Sequence, residues 1–356
     1  MRLVNIAYVD EGEVLARPLV SPNGKILLQA GIALTQNYIQ KLTYLGIDTL
    51  FIEDDAFQDV EIYSAVSVKT REVAYSSLQN LSKHIQEEQL HSSNLLQIEA
   101  AVQAIISDLL YSKDLLGNVL EIQGYDDYTY HHSVNTTIIA LIMAIAMGWS
   151  NHRLLELGMG VLMHDVGKVK VPQAILNKKG PLTCEEFDEI KRHAEYGFEI
   201  LRKNQDVSLL SAHVALQHQE RWNGSGYPRG LKGTQIHEYG RVAAVADVYE
   251  ALTSKRVYRN AMQPYEAYEY VMSNSETLFE PSLVKNTFCR YITPYPTGSG
   301  IHLSNGQRGN VVRQNSNFPT RPYVRMTHER EARLINPMDY NLAEHPSLMI
   351  LGIENK

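Results

Sequence analysis

Five segments bring together residue types that bind divalent metals. His132 opens HSVNT, and His164 and Asp165 are adjacent in HDVGK. His193 lies within KRHAEYG, His218 begins HQERWNGSGYP, and Asp247 sits in ADVYEALTSKR. Neutral imidazoles mixed with a few carboxylates form a ligand set for transition metals, and they suit iron or manganese, with zinc and nickel also able to bind. A two-metal hydrolytic site needs a bridging carboxylate, and such a site bridges an activated hydroxide and clamps a phosphate. Asp165 is the natural bridge, because His164 beside it can serve one ion while His193 serves the other. From spacing alone, a metal site and a set of satisfied core polar groups remain alternatives.

Helices must position these residues. IIALIMAIAMGW, residues 138–149, is too short to span a bilayer, which takes about 20 residues, and reads as a helix buried on most faces with His132 near its start. TCEEFDEIKRHAEYGFEILRK opens on the capping box Thr183–Glu186 and carries Phe187, Ile190, Ala194, Phe198 and Leu201 at helical spacing. DVSLLSAHVALQHQER places Val207, Leu210, Val214 and His218 on one stripe, so His218 points with the apolar residues. RVAAVADVYEALTSKR surrounds Asp247 with small apolar neighbours, where an unpaired carboxylate is costly.

The flanks differ in character. Residues 1–58 read as a small α+β module: a hairpin around SPNGK, a helix from Thr35 to about Gly46, and a strand in DTLFIED. Residues 64–118 read as a helical linker with the stripe Val102, Ile105, Ile106, Leu109 and Leu110. Ordinary packing accounts for that stripe, with a homodimer helix as the weaker alternative. Residues 119–292 form the helical series that holds the candidate ligands. Residues 293–356 alternate short apolar runs with Asn-Gly and Pro and read as a small β appendage and tail, the last 25 or so residues being uninformative.

Composition excludes several classes. Apolar residues make up 44% and charged residues 21% of the 356, so the chain has the makings of substantial cores. A net charge of −7 does not describe a binder of nucleic-acid polymers. The two cysteines, Cys184 and Cys289, supply neither a disulfide framework nor a zinc knuckle and fit a reducing cytoplasm. The start lacks a basic segment followed by an apolar run, so no secretory signal is expected, and with the most apolar stretch, 138–149, too short to span a bilayer, no transmembrane segment is expected either.

HSVNT, HDVGK, the helical His193, HQERWNGSGYP and ADVYEALTSKRVYR resemble, in order, the motifs of the HD-GYP phosphodiesterases, a branch of the HD-domain metal-dependent phosphohydrolases. The resemblance covers about residues 119–290, and GSGYPRGLKG is its most specific part. It implies a mainly α HD-domain bundle with the metals inside. It also implies hydrolysis of cyclic di-GMP, by metal-hydroxide attack, to the linear dinucleotide or GMP. His132, His164, Asp165 and Asp247 would hold one ion, and Asp165 would bridge to a second held by His193 and His218. Lys168 would contact the scissile phosphate or leaving oxygen, Arg256 and Arg259 would grip substrate phosphates, and Tyr227 would line the pocket or fix the loop. The glycines of the GYP segment let the backbone turn sharply near a ligand.

Three positions depart from the family pattern. Gln219 stands where a second histidine is usual, and its carbonyl is at best a weak ligand, so the second ion is expected to bind loosely, to take an extra water, or to be absent. Asn223 replaces an aspartate. Tyr128 replaces the glutamate that supports a third metal, so at most two ions are expected. Gln219 keeps a second function open, a cyclic di-GMP receptor without turnover. A third is an HD phosphohydrolase of another nucleotide.

Overall fold

A computed structural model describes residues 1–20, 26–62, 64–112, 128–254, 261–330 and 332–354. The N-terminal elements are β1 (Arg2–Asn5), β2 (Leu19–Val20), β3 (Ile26–Leu28), α1 (Gln36–Tyr44) and β4 (Thr49–Ile52). Strand β4 pairs antiparallel with β1, a partner the sequence pattern did not reveal, and β2 pairs with β3 as expected of a hairpin. The SPNGK turn lies outside the described residues. Thr35 caps α1 by accepting from the Tyr38 amide. Val4, Leu15, Leu34, Leu42 and Leu50 form this region's own core.

The helical body follows as α2 (Val68–Gln86), α3 (Ser92–Tyr111), α4 (Tyr128–Ala146), α5 (Asn151–Leu162), the short α6 (Gln173–Leu176), α7 (Cys184–Lys191), α8 (His193–Leu201), α9 (Leu209–Gln217), α10 (Glu238–Thr253) and α11 (Pro264–Ser273). Residues 138–144 of α4 are all buried, as an all-round apolar helix requires. One apolar cluster joins them to Leu78 and Leu81 of α2, Ile98, Val102 and Ile105 of α3, Leu157 of α5, Val214 of α9 and Val245 of α10. Val102, Ile105, Ile106 and Leu109 of the α3 stripe are therefore packed inside the chain. No described helix is long and apolar enough to cross a membrane.

Periodicity located the helices better than their faces. Leu110, Phe187 and Leu210 lie at the edges of their stripes and are solvent-exposed. Residues 64–112 form two helices with a break at 87–91. The run from Thr183 also divides, at Arg192, so that His193 begins a new helix.

The C-terminal region is an antiparallel sheet in the order β8-β7-β6-β5-β9, from β5 (Gly300–Leu303), β6 (Gln307–Arg313), β7 (Tyr323–Glu329), β8 (Ala332–Asn341) and β9 (Ile350–Ile353). The last 25 residues thus contribute all of β8 and β9. Ile301, Val311, Val324 and Met326 form its core. The sheet joins the N-terminal region where the Leu3 amide donates to Gly298 O at 2.9 Å and Arg325 donates to both Asp59 oxygens, at 2.6 and 3.0 Å.

Candidate metal centre and its loop

Helix α5 ends at Leu162, and the chain tightens into a 3-10 turn over Val166–Lys170. The junction turns His164 and Asp165 inward, and both are buried. Gly167 makes this possible. A Cβ there would lie 2.0 Å from His193 O and 2.4 Å from Gly197 N, so only glycine lets the turn press against the start of α8. That approach brings Asp165 to His193. Both clashing atoms are backbone, so Gly167→Ala is expected to cost at least the upper end of the roughly 1–3 kcal/mol of overpacking. A fall in the urea midpoint together with reduced metal content checks it.

Three histidines are oriented by one device. The Nδ1–H of His164 donates to Val161 O at 2.7 Å, that of His193 to Ile190 O at 2.6 Å, and that of His218 to Ala215 O at 2.9 Å. A carbonyl only accepts, so each ring carries its proton on Nδ1 and turns the lone pair of Nε2 inward, the arrangement of metal-binding histidines. The consequence is visible between His193 and His218, whose Nε2 atoms stand 3.1 Å apart. Two lone pairs at that distance need a cation or a proton between them. His164 Nε2 is buried and has no hydrogen-bond partner among the described residues.

The carboxylates complete the set. Asp165 Oδ1 lies 3.4 Å from His193 Nε2 and 3.8 Å from His218 Nε2, while Oδ2 lies 3.4 Å from His164 Nε2 and accepts from Lys168. Its two oxygens therefore face different histidines. Asp247 Oδ1 lies 3.0 Å from His132 Nε2 and 3.9 Å from His164 Nε2. Ligand atoms of His132, His164 and Asp247, and of His164, Asp165 and His218, gather within 4.8 Å. Burial works against the Asp165 carboxylate, but Lys168 and the histidines hold its pKa well below the usual range. Burial also opposes ionised Asp247, and His132 holds it down. Burial lowers His193 and His218. Anionic carboxylates with neutral imidazoles are the protonation states that metal ligation requires. This donor set fits divalent metals.

The family profile described as an HD domain matches residues 106–283, half of the chain. The chain belongs to the HD-domain family. Its similar relatives include a cyclic di-GMP phosphodiesterase of Pseudomonas aeruginosa, 33% identical over 69% of this chain and 58% of that protein. Another, of Thermotoga maritima, is 40% identical over 49% of each chain. A 3′3′-cGAMP-specific phosphodiesterase of Vibrio cholerae is 41% identical over 35% of this chain and 24% of its own. The matched region thus spans about half the length of the first two relatives. The solved structure of an HDG"Y"P protein from Bdellovibrio bacteriovorus shares the fold, with a TM-score of 0.52 at 16% identity over 80% of this chain and 97% of that one.

The GYP loop of this HD-domain protein is tied down by Glu220, whose buried carboxylate accepts from the Arg229 and Leu231 amides, both at 2.9 Å. Gly226 passes so close to the chain that a Cβ would lie 2.5 Å from Gln219 O. The loop's return sets Tyr227 beside His193, ring centroids 6.3 Å apart. Burial, then Asp247 and Asp165, push the phenol well up, so it stays protonated as a donor.

Gln219 is placed differently from the weak ligand expected. Its carbonyl oxygen accepts from Arg221 Nη2 at 3.1 Å, and its amide nitrogen donates to Asp247 Oδ2 at 3.1 Å. Flipping the amide would set oxygen against carboxylate and nitrogen against guanidinium, so the orientation is determined. Arg221 is anchored in turn on His218 O and Glu220 O.

Glu250, which motif reading passed over, accepts from His132 Nδ1 and from Ser254 Oγ at 2.6 Å. Its signal was its place three residues after Asp247, one turn along α10. Burial disfavours a charge on His132, but Glu250 and Asp247 outweigh it and raise its pKa to about 10. Cation binding there requires that proton to leave. His152, His213 and His237 stand apart: beside Glu156, over Phe198, and as the N-cap of α10. Arg256, Arg259 and the Tyr128 side chain lie outside the described residues.

Proposed function

We propose that this chain is a metal-dependent phosphodiesterase that hydrolyses a cyclic dinucleotide, cyclic di-GMP first, to the linear dinucleotide or GMP. The observation that carries the reading is Asp165, whose two oxygens face separate histidines with Lys168 alongside. His132, His164, Asp165 and Asp247 would hold one ion, and Asp165, His193 and His218 the second. Iron or manganese suits these ligands. When bound, such ions supply Lewis acidity that activates water near neutral pH and draws charge from a phosphate. The names of the Pseudomonas and Thermotoga relatives support cyclic di-GMP, and that of the Vibrio relative keeps 3′3′-cGAMP among the substrates to assay. Unpaired Cys184 and Cys289 accord with a cytoplasmic setting.

The chain's own groups divide the remaining work. Glu250 holds His132 in one ring orientation, and the backbone carbonyls hold the other three histidines. Lys168 offers an ammonium to the scissile phosphate or the departing 3′ oxygen as negative charge grows there. Tyr227 offers a neutral phenol at the loop side of the site. Arg256 and Arg259 serve as guanidinium partners for substrate phosphates.

The test is metal content per chain on anaerobically purified protein, with cyclic di-GMP turnover measured on the same sample. Two ions with turnover is the expected result. Tight binding without turnover in manganese- or iron-loaded protein would establish instead a receptor, the reading that Gln219 favours because its carbonyl is engaged by Arg221. Gln219→His places a ligand nitrogen at this position, and metal content or turnover is expected to rise. Occupancy already near two ions and an unchanged rate in that variant would remove the weakness assigned to Gln219.

A further inference from the structure

Helix α2 precedes the segment matched by the HD profile, yet it walls a cavity that shares Asp165 and Lys168 with the metal centre. Leu78, Ser82 and Gln86 line it from positions four residues apart, one stripe of the helix. Opposite them stand Tyr130 and Ser133 of α4 and the segment from Val166 to Asn177. Lys170 and Glu88, 3.7 Å apart, link that segment to the residues just after α2.

The cavity has a volume of about 230 Å³. Pockets that hold a whole drug-sized ligand run to roughly 300–1,000 Å³, so this one suits a part of a cyclic dinucleotide rather than all of it. Its chemistry says which part. Leu78, Leu162, Val166, Val169, Leu176 and the Tyr130 ring supply apolar surface. Ser82, Gln86, Ser133, Gln173 and Asn177 supply neutral donors and acceptors. Among the described residues Lys168 is its one lining cation, and it already pairs with Asp165. The described walls offer a second phosphate little to bind. A flat heterocycle with apolar faces and a hydrogen-bonding edge matches both kinds of wall.

We propose that this cavity is the subsite for one purine base of the cyclic dinucleotide, with Gln86 of α2 and Asn177 reading the base edge at the mouth. The proposal rests on the phosphodiesterase reading above. It makes α2 a determinant of substrate choice.

Gln86 and Asn177 are exposed, so Gln86→Leu and Asn177→Leu leave the core untouched. In the metal-loaded full chain, each is expected to raise KM for cyclic di-GMP on the order of tenfold, the worth of a lost hydrogen bond. kcat should stay within about twofold and metal content should not change. The same KM shift with 3′3′-cGAMP would mark a contact common to both purines, and a different shift would mark discrimination between them; both support the subsite. Should the protein bind cyclic di-GMP without cleaving it, Kd by calorimetry replaces KM. Unchanged KM or Kd in both variants, with an active or binding-competent wild type, would overturn the subsite alone. A fully metallated wild type that neither binds nor cleaves either dinucleotide would overturn the substrate reading and the subsite with it.

Discussion

Asp165→Asn is expected to yield folded protein that retains neither ion and turns over cyclic di-GMP at least about 10³-fold more slowly, the rate equivalent of the several kcal/mol that metal Lewis acidity contributes. The substitution is nearly isosteric, so it tests charge and ligation rather than packing. Each Asp165 oxygen faces a different part of the ligand set: Oδ1 toward His193 and His218, Oδ2 toward His164 and Lys168. An amide must turn its NH₂ toward one side or the other. That side then meets imidazole lone pairs with a donor and loses its ligand, while the remaining carbonyl is a poor neutral substitute for a bridging anion. Lys168 is partly solvated and can relax toward water once its partner is neutral. A urea midpoint near that of metal-free wild type would confirm an intact fold. Metal analysis then decides the matter. Loss of both ions supports the bridge, whereas one retained ion at full occupancy would make Asp165 a ligand to a single metal.

Much of this candidate centre was legible because its candidate ligands sit in short, chemically loaded segments whose helical phase can be read. His218 shares a stripe with Val214, and Asp247 lies among alanines and valines, so both were readable as inward-facing. The supporting residues were harder because they depend on packing between distant elements. Glu250 becomes the partner of His132 only when α10 lies against α4, and the two residues are 118 apart in sequence. Gln219 reads as a defective ligand until Arg221 is seen to occupy its carbonyl. The faces of Leu110, Phe187 and Leu210 were misread because a 3.6-residue period gives the centre of an apolar stripe but not its width. In the C-terminal region the alternation is weak, and bulges between Arg308 and Gly309 and between Met326 and His328 break the period-two signal. What the phosphohydrolase reading needs from the fold is largely local. What tunes it, from the second layer around the ligands to the wall supplied by α2, is not.

Lys168→Met separates a catalytic role from a structural one. The ammonium contacts Asp165 Oδ2, so two accounts compete. In the first, Lys168 merely neutralises a buried carboxylate. Its removal would then loosen metal binding, and activity would fall in step with occupancy. In the second, which the proposed function requires, Lys168 meets charge that develops on the phosphate or the leaving oxygen. With the Asp165 charge balanced by the ions the site would hold, the Lys168 ammonium would be free to act on substrate. Loss of one preorganised donor of this kind typically costs about 10²–10³ in kcat. The expected result for Lys168→Met is therefore metal content equal to wild type, KM within about tenfold, and kcat reduced by about 10²–10³. Lys168→Arg keeps the charge but replaces a compact ammonium by a wider planar fork, and it should recover only part of the loss. A proportional fall of metal and rate would assign Lys168 to the support of Asp165. A raised KM with unchanged kcat would make it a ground-state phosphate clamp, because only interactions stronger in the transition state than in the bound substrate raise kcat.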